Sequence, residues 1–241
     1  VVETGPHAGR PVGEAWGGTF PLLLKVLDAR EDLSIQVHPD EASAEMAKEE
    51  AWVALSTEGH VAVGDVRGRP VPEAGRWLDV LDRVALEGPT DDAPPSIIHV
   101  PAGTVHAILA GSLVWEVQTP VDVTWRLDDH GRVGLDGRPR DLHLGEAAEI
   151  LERGPEAGGR LEDGGRRLHG RRIVVGAHAP GLWTRPPGCA AFLLEGGTVT
   201  WHGPGEAAGV LEVPPGRTVV LTPDVRHIES PGWMLAAGTS G

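Results

Sequence analysis

Val100 to Gln118 reads VPAGTVHAILAGSLVWEVQ, and its pattern sets the architecture. Ile97 to Val100 is an apolar strand, and Pro101-Ala102-Gly103 is a tight turn. Thr104, His106 and Ile108 then share one face of the next strand. Ala110-Gly111 turns the chain again and Leu113 to Gln118 runs back. Val114, Glu116 and Gln118 lie on one side of that strand, and Leu113, Trp115 and Val117 on the other. Short strands, minimal turns and isolated polar groups on inward faces predict a small β-barrel with a polar site inside it.

Working outward, Leu33 to His38 alternates in the same way, with Ser34, Gln36 and His38 on one face. Pro39 opens a short helix over 39–47, with Asp40 and Glu41 in its first turn. Lys48 to Leu55 returns to strand, placing Lys48, Glu50 and Trp52 on one face. Pro21 to Leu27 and Val121 to Leu127 read as further strands, and 71–81 and 142–151 as helices. After a Gly- and Arg-rich connection, strands are predicted at 171–175, 182–185, 190–195, 198–202, 210–213 and 218–221, closed by 227–230 and 233–237. The chain therefore divides into a first unit that carries the candidate site (1–150), a linker (151–170) and a second β unit (171–241). No strand–helix alternation with a Gly-rich phosphate loop occurs, which excludes a dinucleotide fold.

Composition supports this reading. Among 241 residues, 34 glycines and 21 prolines favour short strands and turns over long helices. The net charge of -14 disfavours nucleic acid and anionic membranes as partners, so an anionic substrate needs a local cationic pocket. The single cysteine, Cys189, excludes an intrachain disulfide and fits a reducing compartment. No apolar run approaches the roughly 18 residues of a membrane span, and no basic-then-apolar leader is visible, so a cytoplasmic location is expected.

The candidate site collects Gln36, His38, Glu50 and His106, a nitrogen and oxygen set suited to a borderline divalent metal. The plainer alternative is four unrelated polar residues at a barrel mouth. Lys48 beside Glu50 is either a surface ion pair worth about 0.5 kcal/mol or a cation poised for phosphate or a developing oxyanion. Arg126 suits phosphate through its planar guanidinium, and Glu116 suits a general base. His99 is read as a brace behind the site or a surface residue. Lys25 and Lys48 are the only lysines, and Gln36 and Gln118 the only glutamines.

Five stretches carry a resemblance: FPLLLKVLDAREDLSIQVHPDE (20–41), KEEAWVAL (48–55), 100–118, DVTWR (122–126) and GRPRDLH (137–143). Over residues 5–150 the chain resembles the type I mannose-6-phosphate isomerases of the short bacterial kind, within the cupin superfamily. The resemblance implies an all-β fold of two jelly-roll barrels, the first metal-binding with helical insertions at 39–47 and 71–81 and the second metal-free. It implies one zinc ion held by Gln36, His38, Glu50 and His106. It also implies an active-site lysine at Lys48, an acid–base glutamate at Glu116 and a catalytic arginine at Arg126. The implied reaction interconverts mannose 6-phosphate and fructose 6-phosphate through a cis-enediol, with a sugar phosphate as partner and a monomeric or homodimeric protein. Glu116 is the first choice of base, with Lys48 and a metal-held water as alternatives. The family carries an extra strand before the position of Val1, and a Tyr-rich segment where Leu127-Asp128-Asp129-His130-Gly131 stands here. A single large β-sandwich is the alternative fold. A non-catalytic cupin binding a sugar or sugar phosphate, and a cupin oxygenase, are the alternative functions.

Overall fold

The two-residue alternation becomes nineteen strands among the described residues of the computed structural model, which are 1–240 without 4–6, 44–46, 65, 67–68, 185–187, 203–207 and 223. A short helix α1 (Val12–Trp16) precedes β1 (Leu23–Ala29), β2 (Ile35–Val37), β3 (Glu50–Ala54), β4 (His60–Gly64), β5 (Asp82–Ala85), β6 (Ile97–Val100), β7 (Val105–Ile108), β8 (Ser112–Gln118) and β9 (Trp125–Asp128). Helix α2 (Leu144–Arg153) leads to β10 (Arg160–Glu162), β11 (Arg167–His169), β12 (Ile173–His178), β13 (Gly181–Trp183) and β14 (Ala190–Leu193). The chain ends in β15 (Gly197–His202), β16 (Ala208–Val213), β17 (Arg217–Val220), β18 (Val225–Ser230) and β19 (Met234–Thr239).

These strands form four sheets, ordered β5-β4-β7-β2-β9, β1-β8-β3-β6, β10-β11-β12-β19-β14-β17 and β13-β18-β15-β16. Each sheet ends in two strands with a free edge, so the closed cupin barrels implied by the resemblance are not formed. The all-β class stands, but the architecture is one of open sheets packed face to face. Barrel closure needs an uninterrupted ladder around the corner. Here β2 is three residues long, meets β7 only at Gln36↔His106, and shifts register against β9 between Ile35 and Gln36.

The expected helical insertions are also reduced. Residues 71–81 hold a single 3-10 turn, Trp77–Asp79. Gly75, with φ +79°, takes the backbone out of the right-handed helical region just before it. At 39–47 the Asp40 carboxylate accepts the Ala42 and Ser43 amides, which makes a side-chain-capped turn over 41–43; 44–46 lie outside the described residues. The stretch read as a linker carries the β10–β11 hairpin, paired through Leu161↔Leu168, at the edge of the third sheet.

Burial orders the layers. Ile35, Val37, Val105 and Leu127 on the outer face of the first sheet are covered by Trp77 and by Ala147 and Ile150 of α2. Trp52, Val100 and Val114 of the second sheet meet Val61 and Ile108 of the first. The opposite face of the second sheet, with Ala51, Val53, Trp115 and Val117, packs on Ile173, Val175, Phe192 and Leu235 of the third. Ala191, Leu193 and Met234 of the third sheet complete a last core with Val199, Val213 and Ile228 of the fourth. The β1-β8-β3-β6 sheet is thus packed on both faces, with polar groups set among the apolar ones on its inner face, and β3 is buried at every position. No helix among the described residues is long and apolar enough to cross a membrane.

After β9 the chain is pinned by Asp129, which accepts from Arg132 Nη2 at 2.7 Å, from Arg140 Nε at 2.6 Å and from Arg140 Nη2. Burial alone would raise this carboxyl, but the two guanidiniums outweigh it and hold it below its ordinary value. Charge-assisted bonds of this kind contribute about 1.5–3 kcal/mol. Arg140 is 37% exposed, which brings the expected cost of Asp129→Asn at pH 7 to about 1–2 kcal/mol. A carboxyl depressed in the folded state stabilises above its unfolded pKa, about 3.9, and loses that contribution as pH falls through its folded value. Urea unfolding of the two proteins between pH 7 and pH 3 should therefore show a constant gap above pH 5 that closes below pH 4.

Candidate metal centre and active site

Antiparallel partners point to the same face, so the registers place the site. In the second sheet Lys25↔Glu116↔Trp52 form one row and Gln118↔Glu50↔Val100 the next. In the first sheet Val63↔His106↔Gln36↔Arg126 form a facing row. His38 follows directly on β2. Short loops bring Lys48 and His38 together, with the Lys48 amide donating to the Pro39 carbonyl at 3.0 Å.

At the centre, His38, Glu50 and His106 offer donor atoms that all lie within 4.8 Å of one another. His38 Nε2 is 3.1 Å from Glu50 Oε1, and His106 Nε2 is 3.6 Å from Glu50 Oε2. His106 Nδ1 lies 2.9 Å from the Thr104 carbonyl. A proton on Nδ1 makes that contact a hydrogen bond and turns the Nε2 lone pair into the cluster. The His38 and His106 rings stand 4.7 Å apart, and Trp52 packs edge-on against His106 at 5.3 Å. Gln36 reaches the same point, its Nε2 being 3.1 Å from His106 Nε2. A half-turn of the amide presents its oxygen there instead.

Burial sets the protonation states. It lowers His106 to about 3, helped by the neighbouring His38. It also lowers His38, although Glu50 pulls the other way. Burial would raise Glu50, but His38, Lys48 and His106 override it and hold the carboxyl well below its ordinary value. Two neutral imidazoles and one carboxylate are the forms that ligate a cation. His38 Nε2 and Glu50 Oε2 are buried without an aligned hydrogen-bond partner. Unsatisfied buried polar atoms cost about 1–3 kcal/mol each, and a cation among these donors would remove that cost. The residues fit a divalent metal.

Lys48 Nζ lies 3.0 Å from Glu50 Oε1, with both side chains almost fully buried, so this is not a surface ion pair. Glu116 accepts from Lys25 Nζ at 2.9 Å and from Trp52 Nε1 at 3.1 Å. Burial raises the Glu116 carboxyl and the Glu50 charge raises it further, against Lys25 and Lys48. Lys25, which also donates to Gln118 Oε1 at 2.8 Å, is a site residue that sequence reasoning missed. Its only signal was scarcity, because the pairing of β1 with β8 is not written locally. Arg126 is half-buried at the end of its row, with Nε lacking a hydrogen-bond partner. Its backbone N–H donates to His143 Nδ1 at 3.1 Å, which gives His143 a bracing place. His99 lies outside the cluster and bonds Glu49 instead. A cavity of about 680 Å³ lies elsewhere, between the N-terminal arm and the second unit, lined by Val2, Phe192, Trp201 and Leu211 among others and by none of the site residues.

The fold and cluster define an all-β protein with a buried histidine–carboxylate centre bordered by two lysines and an arginine. The sequence of residues 4–62 matches the phosphomannose isomerase type I catalytic domain. Mannose-6-phosphate isomerase ManA of Bacillus subtilis is 35% identical over 176 residues, covering 63% of this chain and 54% of that protein. Mannose-6-phosphate isomerase of Streptococcus mutans is 33% identical over 180 residues, covering 65% and 55%. The chain thus spans about half the length of the curated relatives it matches. The crystal structure of the mannose 6-phosphate isomerase from Bacillus subtilis superposes with a TM-score of 0.73 at 23% identity, over 98% of this chain and 84% of that one. That of a putative mannosephosphate isomerase from Archaeoglobus fulgidus gives 0.67 at 14% identity, over 92% and 73%. These structural likenesses show the shared fold. In sequence the chain is similar to type I mannose-6-phosphate isomerases, over residues 4–62 to the catalytic-domain family and over about half the length of the curated relatives.

A divalent cation that binds only the folded cluster stabilises it by about 4 kcal/mol at a thousandfold excess over its Kd. Thermal unfolding with a chelator and with added cation should differ accordingly. His106→Ala and Glu50→Gln should abolish the difference.

Proposed function

We propose that this chain is a zinc-dependent aldose–ketose isomerase acting on mannose 6-phosphate and fructose 6-phosphate. In this reading residues 1–150 form the catalytic unit, 151–170 connect, and 171–241 form a metal-free second unit. The observation that carries it is the buried cluster of His38, Glu50 and His106, in ligating protonation states, beside Lys48, Glu116 and Arg126. Kinship with isomerases of this specificity supports the substrate pair. Gln36, His38, Glu50 and His106 would hold the zinc. Bound there, it supplies Lewis acidity toward the oxygens of an opened sugar.

The chain's own residues do the rest. Glu116 has its carboxyl raised toward the range in which it both accepts and returns a proton. It takes the proton from C2 of the open-chain aldose and delivers it to C1, while a second proton passes from O2 to O1, so that the intermediate is a cis-enediol. Lys25, in contact with Glu116 Oε1, limits how far that carboxyl rises. Lys48 sits beside Glu50, where charge builds on the enediol oxygens. Arg126, at the half-buried end of its row, has a free Nε–H for the phosphate or for the enediol. His38, Lys48, Glu50 and His106 are almost fully excluded from solvent, whereas Gln36, Lys25 and Arg126 are half-buried at the rim of the cluster.

The test is an isomerisation assay on mannose 6-phosphate with zinc-loaded and metal-stripped protein and with Arg126→Ala and Glu116→Gln. Metal removal should abolish turnover, and Glu116→Gln should lower kcat by about 10²–10⁴. Turnover that needs neither metal nor Arg126 overturns the mechanism. Tight binding of the sugar phosphate without turnover would instead favour a non-catalytic binding protein.

A further inference from the structure

We propose that Glu49 is a positioning residue through which the second β unit sets the Lys48–Glu50 backbone, and hence the metal centre. The consequence for turnover rests on the isomerase reading, while the metal readout below does not.

Alternation about β3 gives neighbouring glutamates opposite tasks. Glu50 faces the centre, and Glu49 faces the second unit. The Glu49 carboxylate is almost fully buried and bonded at both oxygens. Oε1 accepts the Arg171 amide at 2.9 Å and lies 2.5 Å from His99 Nε2, and Oε2 accepts the Arg172 amide at 2.6 Å. His99 is held in turn, because the Gly159 amide donates to its Nδ1 at 2.6 Å. That bond fixes the ring proton on Nε2, where it points at Glu49. The fit is close enough that a Cβ at Gly170 would overlap Glu49 Oε1.

On the other side, the same backbone is tied to the first unit. The Glu49 amide donates to Thr119 Oγ1 at 3.2 Å, and the Thr119 amide donates to the Glu49 carbonyl at 3.0 Å. The dipeptide Arg171–Arg172 also reaches the segment after His38, through an ion pair of Arg172 with Glu41. One strand entry of the second unit therefore touches both segments that carry candidate ligands. Lys48 and Glu49 precede the β3 ladder, so the Glu49 carboxylate adds a side-chain restraint to the few backbone bonds that hold them, those with Thr119 and Pro39. Groups that orient metal ligands from behind change metal affinity by about 10–100-fold when lost.

The experiment titrates Co²⁺ into the metal-stripped full chain and reads its visible absorption bands and its affinity against a chelator. It compares wild type with Glu49→Gln, Gly170→Ala and Leu193→Ala, each first shown to be folded by circular dichroism. Glu49→Gln forces an amide against backbone donors, Gly170→Ala displaces the carboxylate from the second unit's side, and Leu193→Ala makes a cavity in the last core without touching Glu49. The expected result is a 10–100-fold loss of Co²⁺ affinity with shifted bands for the first two. Leu193→Ala should keep wild-type affinity and bands despite a lowered urea midpoint. Should Glu49→Gln fail to fold, Gly170→Ala decides. Wild-type affinity and bands in Glu49→Gln and Gly170→Ala would overturn the proposal, as would an equal loss in Leu193→Ala. A wild-type chain that binds no Co²⁺ overturns the metal reading and this inference with it. Weakened Co²⁺ binding in the Glu49 variants of a chain without isomerase activity would uphold the positioning role and remove only the proposed function.

Discussion

A carboxylate enclosed between two sheets with no solvent around it is the constraint that organises this molecule. Stripping Glu50 of water costs several kcal/mol unless opposite charge or ligation repays it. Lys48 Nζ at 3.0 Å and the two imidazoles are the groups arranged to do so. They come from different segments, and only the face-to-face packing of β2 and β7 against β3 and β8 brings them together. The same burial that makes Glu50 expensive keeps His38 and His106 neutral. The cluster is thus prepared for a cation by the environment that makes it unstable without one.

The β1-β8-β3-β6 sheet transmits this demand through the fold. Its inner face carries the polar rows, and its outer face carries Trp115, Val117, Ala51 and Val53 against the second unit. Trp115 lies over Phe192 at 5.8 Å between ring centroids, and burying aromatic pairs of that size dominates an interface. The third sheet is therefore a wall of the site, because it covers the outer face of the sheet that holds Glu50 except along the edge strand β1, where Val26 is exposed. Glu49 adds a polar tie through that wall, directly beside the residue whose position matters most.

The open sheets correct the barrel picture without disturbing the site. Closed barrels and stacked sheets present the same alternation of inward and outward residues along each strand. A sequence pattern therefore does not distinguish them. What separates them is whether the edge strands meet across the corner. That depends on strand length and register, and β2, three residues long with one register shift against β9, is the weak point of the first sheet's ladder. The helix expected over 71–81 failed for a local reason, a glycine conformation at Gly75 that outweighs the apolar spacing around it.

Period-two alternation determined most of the strands directly, including the run from 97 to 118 and nearly all of the second unit, because burial of one face is a local demand on composition. The scarcity of lysine and glutamine, and the polar residues set on inward faces, marked Gln36, His38, Lys48, Glu50, His106, Glu116 and Arg126 as candidates. The resemblance to type I mannose-6-phosphate isomerases was likewise carried by motifs quoted from the chain. Only the tertiary structure decided that Lys25 stands against Glu116, that Glu49 and His99 lock onto Arg171 and Arg172, and that the sheets stay open. Each of these depends on pairing between residues fifty or more positions apart, or on edges left unpaired. Such long-range register is set by packing of whole layers, and no short stretch of sequence carries it.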